Sequence, residues 1–183
     1  MKKVLVPLAE GFEDVEAVSI VDVLRRGGVK VVTASVGDAP GVVSSHGIRM
    51  EADSMLMDAI DDEWDAIVLP GGGPGTERLK ACEPLLERLR RQKAEGGLVC
   101  AICAAPTALE LAGVIEDEEV TCYPSCAVDM GRKVKQMPVI ADGQLVTGQG
   151  PGAATLFALV VLSRLEGEQV AHKVANGMLV EFD

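Results

Sequence analysis

The sequence predicts an α/β protein in which a doubly wound, mostly parallel sheet is covered by helices on both faces. Three observations carry this prediction. Short apolar runs without alternation recur along the chain, as is typical of strands that are buried on both faces. Segments with helical periodicity separate these runs, and glycine-rich turns follow several of them. The regular succession of strand and helix indicates one domain over residues 1–183.

The first half of the chain supplies three of the predicted strands, at residues 3–9, 29–36 and 65–70. Between the first two, four apolar residues recur at helical spacing and predict the buried face of a helix: Val15, Val18, Val21 and Leu24. Gly27 and Gly28 end that helix. Residues 40–53 are expected to form a small hairpin, because Gly41 and Gly47 interrupt short β-like segments.

The second half continues the alternation, with helices expected at residues 84–95, 106–112, 152–165 and 169–179. A buried strand is expected at 98–102, and two short strands flank a tight turn at Asp142 and Gly143. In such sheets the ligand site lies beyond the carboxyl ends of the strands. This rule directs attention to four strand-to-helix turns, at residues 9–16, 70–76, 103–106 and 147–152.

The composition excludes several classes of partner. The chain has 17 Lys and Arg against 28 Asp and Glu, a net charge of −11, so nucleic-acid phosphates and anionic membrane surfaces would be repelled. One Trp, one Tyr and three Phe are too few for a base-stacking surface. We therefore expect no stable nucleic-acid binding and no membrane partner. Five cysteines, in a chain long enough to build a core without disulfides, favour free thiols and a cytoplasmic location.

The cysteines suggest both a metal site and a reactive thiol. Cys100 with Cys103, and Cys122 with Cys126, approach the spacing of a structural zinc site. The first pair lies in a continuous apolar run that would point its thiols to opposite faces, so we expect no metal. Cys103 stands where a buried strand ends and Pro106 opens a helix. The positive helix end is expected to lower its pKa and favour the thiolate, the alternative being a buried structural cysteine.

Two further features would complete a reactive-thiol site. Glu16 lies in the first helix, one turn inside an acidic run, where its carboxyl could face the crevice with a raised pKa and exchange protons with the thiol. Gly71–Gly73 follow a strand and lack the Lys-Ser/Thr of a phosphate-binding loop. We expect these glycines to let the backbone approach a ligand closely, so that their N–H groups can donate hydrogen bonds to a small oxyanion. The glycines of residues 148–152 loosely match a dinucleotide-binding motif, but too few residues follow them to complete that unit.

Four segments in this order resemble the ThiJ/PfpI superfamily: the strand followed by Glu16, DAIVLPGG at 65–72, AICAAP at 101–106 and TGQGPG at 147–152. The resemblance covers essentially the whole chain. It is greatest to the branch of the parkinsonism-associated deglycase and its YajL-like bacterial relatives. It implies a flavodoxin-like fold of the class I glutamine amidotransferase type, a mostly parallel sheet sandwiched by helices.

The resemblance also implies roles for individual residues. Cys103 corresponds to the family's reactive cysteine, which is easily oxidised to the sulfinate, and Glu16 to the buried glutamate that hydrogen-bonds it. Gly72 and Ala104 match the positions whose N–H groups form the oxyanion pocket. Protease-like members carry histidine where Ala104 stands, so peptidase activity is disfavoured.

The branch is usually homodimeric, and residues 10–30 and 40–50 match its subunit interface. Arg26 and His46 are therefore expected to reach toward the partner's site. Tyr123 stands where the human-type branch has histidine, which argues against a histidine-assisted mechanism and for the bacterial branch.

The implied function is a cysteine-dependent, glutathione-independent glyoxalase or protein deglycase. Its substrates would be methylglyoxal-type aldehydes or early glycation adducts on proteins or nucleotides, and it would need no cofactor or metal. The alternative is an oxidative-stress sensor or redox-regulated chaperone that uses oxidation of Cys103 without turnover. An older family label, thiamine-precursor synthesis, has no supporting residue chemistry in this sequence.

Overall fold

The computed structural model describes residues 1–182 and confirms the predicted architecture. Within these residues there are nine strands: β1 Lys3–Leu8, β2 Lys30–Ser35, β3 Gly41–Val43, β4 Arg49–Glu51, β5 Ser54–Met55, β6 Ala66–Leu69, β7 Leu98–Ile102, β8 Val139–Asp142 and β9 Leu145–Gly148. Seven form the central sheet, in the order β5-β2-β1-β6-β7-β9-β8, with only β8 antiparallel to its neighbour. The predicted hairpin is β3–β4, an antiparallel pair outside that sheet.

The order of the strands defines where a site belongs. The chain builds outward from β1 to β2 in one direction and then to β6 and β7 in the other. The crevice between the carboxyl ends of β1 and β6 is therefore the topological switch point of the sheet. The turns that follow β1, β6 and β7 all open at this edge.

Helices cover both faces of the sheet: α1 Asp14–Arg26, α2 Leu56–Ala59, α3 Gly73–Lys80, α4 Glu83–Ala94, α5 Pro106–Ala112, α6 Ala154–Glu166 and α7 Glu168–Gly177. One apolar cluster joins the sheet to α1, α6 and α7, and a second joins its other face to α3, α4 and α5. Side chains of β1 alternate between the two clusters, with Val4 and Val6 in the first and Leu5 in the second. Over residues 1–182, no helix is long and apolar enough to cross a membrane.

The predicted buried face of α1 is wrong at Val15 and Val18, whereas Leu24 is buried as predicted and Val21 is partly buried against the core. Val15 and Val18 are 52% and 51% exposed, whereas Glu16, Ile20 and Leu24 are fully buried. These three positions recur every four residues and form the inward stripe. A carboxyl can occupy it because a backbone N–H elsewhere in the fold binds it, which apolar spacing along the helix cannot reveal.

The sequence did not predict three short helical segments: α2, α3 and a 3₁₀ segment at residues 124–130. Helix α3 begins with Gly73-Pro74-Gly75, a sequence that is typical of a turn. Proline is nevertheless compatible with the first turn of a helix, because the N–H that it lacks would have no partner there. Residues 124–130 form a 3₁₀ segment that begins at Pro124. Helix α3 follows the turn after β6, and the 3₁₀ segment follows Tyr123, whose N–H donates to the Cys103 carbonyl.

Candidate active site

Cys103 occupies a strained elbow between β7 and α5. Its φ is +65°, a left-handed conformation that side-chain-bearing residues rarely adopt and that is often found at functional sites. Two backbone hydrogen bonds hold it: the Cys103 N–H donates to the Gly148 carbonyl at 2.9 Å, and the Tyr123 N–H donates to the Cys103 carbonyl at 2.8 Å. The residue is 8% exposed, so the thiol is nearly but not completely closed off from solvent.

Glu16 meets Cys103 over Gly71. The Glu16 side chain is fully buried, and its Oε2 accepts a 2.8 Å hydrogen bond from the Gly71 N–H. A Cβ atom built on Gly71 would lie 2.9 Å from that oxygen and 2.7 Å from the Cβ of Cys103, so both side chains converge on one point. At the other end of the turn, Glu13 caps α1 by accepting the Glu16 N–H at 2.8 Å. The inward position predicted for Glu16 is confirmed.

Burial dominates the protonation of this carboxyl. It raises the pKa of Glu16 to about 7, against the opposing hydrogen bonds from the Gly71 N–H and the Cys103 thiol. Among the described residues, Glu16 Oε1 has no hydrogen-bond partner of ordinary geometry, although the thiol is close enough to influence the carboxyl's pKa. The carboxyl can therefore gain or lose a proton near neutral pH, as the sequence analysis predicted.

The predicted direction of the Cys103 pKa is wrong. Burial, followed by the charge and the hydrogen bond of Glu16, raises the pKa of the thiol to about 12, and the N–H groups of Gly72 and Ala104 only partly oppose this. The position of Cys103 before helix α5 suggested the opposite, but desolvation and the neighbouring carboxylate outweigh the positive end of a seven-residue helix. When the proton moves to Glu16, the repulsion between the two groups disappears. The carboxyl then donates to the sulfur, which makes the pair a shared-proton unit.

The backbone donors come from the two turns that the sequence analysis selected. The N–H groups of Gly72 and Ala104 both approach the Cys103 sulfur. Gly72 has φ +92°, and a Cβ there would lie 2.4 Å from the Gly11 carbonyl oxygen and 2.7 Å from the Glu13 nitrogen. Only glycine allows this turn to approach so closely. The donors are fixed before any ligand arrives, as an oxyanion pocket requires.

We expect Gly72→Ala to destabilise the protein by about 2–4 kcal/mol, because the methyl group meets backbone atoms and the left-handed conformation disfavours a side chain. Urea unfolding followed by circular dichroism measures the change in free energy of unfolding. Gly73→Ala is the matched control, since nothing lies within 4 Å of a Cβ at that neighbouring position. Equal stability of the two variants would contradict the close approach of the turn.

His46 lies beside α1 of the same chain. It is carried by the β3–β4 hairpin, whose tip is fixed by a 2.8 Å bond from the Ser45 N–H to the Phe12 carbonyl. Asp14 accepts from the Ser44 hydroxyl and lies 2.6 Å from His46 Nδ1. Burial opposes ionisation of Asp14, but these hydrogen bonds keep its pKa below the ordinary value, and Asp14 in turn raises the pKa of His46.

Arg26 is the other residue that was expected to reach toward a partner subunit. Arg26 is half-exposed and pairs with Asp22 at 2.8 Å within α1. The ligand atoms of Glu13, Asp14 and His46 lie within 4.8 Å of one another, a group that the sequence analysis did not single out when it predicted no metal.

The cysteines do not form the zinc site that their spacing suggested. All five are free thiols, and in the described part of the chain they do not gather into a metal-ligating group. Cys100 is fully buried within β7, and burial raises its pKa to about 12. Cys100 is therefore a structural core residue.

The chain matches the DJ-1/PfpI family model over residues 2–164. It belongs to the DJ-1/PfpI family. Protein DJ-1 homolog B of Arabidopsis thaliana is 41% identical over 187 residues, which cover 98% of this chain and 42% of that protein. The chain thus spans less than half the length of that DJ-1 relative. Glutathione-independent glyoxalase DJR-1.2 of Caenorhabditis elegans is 37% identical over 163 residues, 87% of this chain and 86% of the relative.

The structural comparison supports the same family. The oxidized structure of Toxoplasma gondii DJ-1 has a TM-score of 0.95 to this chain, with 37% identity and coverage of 100% of both chains. The range matched by the DJ-1/PfpI model includes four predicted site residues: Glu16, Gly72, Cys103 and Ala104. The fold and the family inferred from the sequence are confirmed.

Several contacts of the site had no signal in the sequence. The Gly148 carbonyl and the Tyr123 N–H fix the elbow, but any residue can supply a carbonyl and any residue except proline an N–H. The link between Ser44, Asp14 and His46 depends on how the hairpin folds back onto the turn after β1. An acidic run followed by a polar hairpin tip was the only available hint.

Proposed function

We propose that this DJ-1/PfpI protein is a cysteine-dependent, glutathione-independent glyoxalase that converts methylglyoxal-type 2-oxoaldehydes into 2-hydroxy acids. The observation that carries the proposal is the convergence, over Gly71, of a thiol and a carboxyl whose pKa is about 7. The N–H groups of Gly72 and Ala104, which approach the same sulfur, supply the hydrogen-bond donors for an oxyanion. The name of the C. elegans relative supports the same activity.

The first half of the reaction is covalent addition. The thiol proton of Cys103 passes to the Glu16 carboxylate, and the sulfur attacks the aldehyde carbon of the substrate. The carbonyl electron pair moves to oxygen, where the N–H groups of Gly72 and Ala104 stabilise the negative charge. Glu16 then returns its proton to that oxygen, which gives a neutral hemithioacetal and regenerates the carboxylate.

The second half transfers hydrogen and releases the acid. The Glu16 carboxylate removes the proton from C1 and returns it to C2, so C1 is oxidised to a thioester while C2 is reduced to an alcohol. Water adds to the thioester carbonyl, the C–S bond breaks, and the sulfur regains a proton. Methylglyoxal and one water thus give lactic acid, and the scheme uses no cofactor or metal.

Early glycation adducts are a natural extension of this substrate class. The hemiaminal or hemithioacetal that methylglyoxal forms with a protein or a nucleotide carries the same two carbons. Attack of Cys103 on C1, with departure of the amine or thiol, leads to the same intermediate. Protein deglycation is therefore part of the proposal, and free aldehyde is the simpler substrate.

The test measures lactate formed from methylglyoxal by the full chain, treated with a chelator and free of glutathione. We expect one lactate for each methylglyoxal consumed. Loss of methylglyoxal without lactate would mean only chemical modification of the protein and would overturn the proposal. Adduct disappearance faster than spontaneous release of the aldehyde would assign deglycation to the same site.

The same geometry favours a second candidate, an oxidative-stress sensor or redox-regulated chaperone. A sulfinate on Cys103 would receive the two N–H donors and the protonated Glu16 carboxyl. Each peroxide transfers one oxygen to the sulfur and leaves as water, so two equivalents give the sulfinate. In this candidate the oxidised protein is the signal and no aldehyde is turned over.

We expect mild peroxide to oxidise Cys103 before the other four cysteines, including the partly exposed Cys82 and Cys126, because the Glu16 carboxylate beside Cys103 can accept its thiol proton. Glu16→Gln keeps a hydrogen-bond donor and should preserve this order, whereas Glu16→Ala should lose it. Intact-mass measurement with peptide mapping identifies the oxidised residue. Oxidation of Cys82 or Cys126 first would contradict the assignment of the reactive thiol.

We further propose a homodimer that forms through α1 and the β3–β4 hairpin. Val15, Val18 and Ile48 are each more than half exposed on this surface, within the ranges 10–30 and 40–50. Isolated apolar side chains on a surface are common, but three on adjoining elements beside a site indicate an interface. Arg26 and His46 would then lie toward the partner's site.

Light scattering is expected to give twice the chain mass of 19.2 kDa at micromolar concentration. Val18→Glu should shift the protein to monomer, because it places a charge on this apolar surface. Val128→Glu is the matched control, since Val128 is 83% exposed on the 3₁₀ segment. A monomeric mass for the unmodified protein would remove the proposal.

A further inference from the structure

A cavity of about 350 Å³ lies beside the Cys103 elbow, where three loops meet. Tyr123 and Pro124 form one wall, Pro138 the second, and the turn after β9 at Gly150 and Pro151 the third. The Gln149 N–H joins the last two loops by donating to the Pro138 carbonyl at 2.9 Å. The cavity is therefore a built feature of the fold.

Two of the loops that form the cavity are hydrogen-bonded to the backbone of Cys103. Tyr123, which lines it, donates its N–H to the Cys103 carbonyl at 2.8 Å, and Gly148, two residues before Gly150, accepts the Cys103 N–H at 2.9 Å. The Tyr123 ring lies against Gly150, where an added Cβ would be 3.2 Å from the ring's Cδ2. The same two loops thus hold the thiol and shape the cavity.

The lining is uncharged and rigid. None of the eight lining residues has an ionisable side chain except Tyr123, in a protein whose residues are 25% charged. Three are prolines, which lose no side-chain entropy on binding, and the Gln149 amide already donates to Gln136 at 3.1 Å. Such a surface binds apolar groups and repels neither anion nor cation strongly.

The size of the cavity distinguishes between substituents. A methyl group would leave it almost empty, whereas an apolar cavity of about 150 Å³ is enough to hold a benzene ring. An aromatic ring bound here would also reach the Tyr123 face, where offset or edge-to-face contact is favourable.

We propose that this cavity makes the enzyme selective for 2-oxoaldehydes with an aromatic substituent, and that Tyr123 is the specificity-determining residue. The inference rests on the proposed function and names its substrate class. The aldehyde carbon bonds to Cys103, and the substituent on the neighbouring carbonyl carbon enters the cavity. The chemistry is unchanged: phenylglyoxal and one water give mandelic acid, C1 being oxidised and C2 reduced.

The test compares kcat/KM for phenylglyoxal and methylglyoxal. We expect the ratio to favour phenylglyoxal by about tenfold or more, mainly through a lower KM. Tyr123→Ala should reduce the ratio about tenfold, while Tyr123→Phe retains the ring and should retain the ratio. Val128→Ala, on the same 3₁₀ segment but outside the cavity lining, is the control and should change nothing. A ratio of one or less in the unmodified protein would overturn the inference.

A binding measurement separates this inference from the proposed function. In Cys103→Ala, which cannot form the thioester, mandelate should bind at least about tenfold more tightly than lactate by calorimetry or NMR titration. If the unmodified protein turned over neither aldehyde but this difference persisted, the proposed function would fail and the cavity assignment would stand. Equal binding of mandelate and lactate would overturn the cavity assignment even if methylglyoxal were turned over.

Discussion

Cys103→Ala is expected to lower kcat/KM for methylglyoxal by at least about four orders of magnitude, because the variant has no atom that can form the hemithioacetal. Glu16 and the N–H groups of Gly72 and Ala104 remain, but without the sulfur they have no covalent intermediate to act on. The measurement is lactate production at matched protein concentration. The substitution removes only the sulfur atom and adds no new atom to the site, so folding should be preserved.

The matched control is Cys82→Ala, which removes a partly exposed thiol at the start of α4. It should retain full activity. If Cys103→Ala kept more than about one per cent of the activity, the carboxyl and the backbone donors would be acting without a nucleophile. The covalent mechanism would then be wrong.

Glu16→Gln is expected to lower kcat/KM by about 10²–10⁴-fold, since the amide cannot carry a proton between C1 and C2. It should also change the pH profile. In the unmodified protein, activity should rise as the pH passes through about 7, where the pair of Glu16 and Cys103 loses its first proton. The variant should lack this rise. Asp22→Asn, on the exposed side of α1, is the control and should keep it. A rise near pH 7 that persisted in Glu16→Gln would assign it to another group.

The same carboxyl makes stability depend on pH. Its ordinary pKa of 4.5 applies in the unfolded chain, and the folded value is about 7, so the folded state binds the extra proton between these values. The free energy of unfolding should therefore fall as the pH rises from 4.5 to about 7, by at most about 3 kcal/mol, and level off above that.

Urea unfolding at pH 5 and pH 8 measures this loss of stability. In Glu16→Gln the part of the decrease that is due to Glu16 should be absent. The variant should therefore gain stability relative to the unmodified protein as the pH rises. A difference between the two proteins that did not change with pH would show that the buried carboxyl keeps an ordinary pKa.

The sequence was sufficient for features that local patterns determine. Cys103 follows a buried apolar strand and precedes a proline that opens a helix, so its place at a strand end was predictable. Gly72 stands in a run of glycines after another such strand, and the parallel order brings the two turns together. Helix α5 occupies the predicted residues, 106–112, because Pro106 and Gly113 mark its two ends.

Features that depend on distant partners were not predictable. The inward position of Glu16 depends on the N–H of Gly71, 55 residues away, and the valine spacing of α1 therefore indicated the wrong face. The raised pKa of Cys103 follows from burial and from the same carboxylate, whereas the local sequence indicated only the helix end. The contact between His46 and Asp14 requires the hairpin to fold back onto α1, which no local pattern in the sequence indicates.

The hydrogen bond from the Cys103 N–H to the Gly148 carbonyl has a consequence for biosynthesis. β9, which ends at Gly148, is the last strand of the sheet along the chain. A nascent chain that ends before it has no acceptor for that N–H, and the left-handed conformation costs an ordinary residue about 1–2 kcal/mol. Until β9 pairs with β7, nothing fixes Cys103 in that conformation. Ribosome-bound and truncated chains would therefore carry an ordinary exposed cysteine, and the elbow that sets Cys103 beside Glu16 and the N–H groups of Gly72 and Ala104 forms only once the sheet is complete.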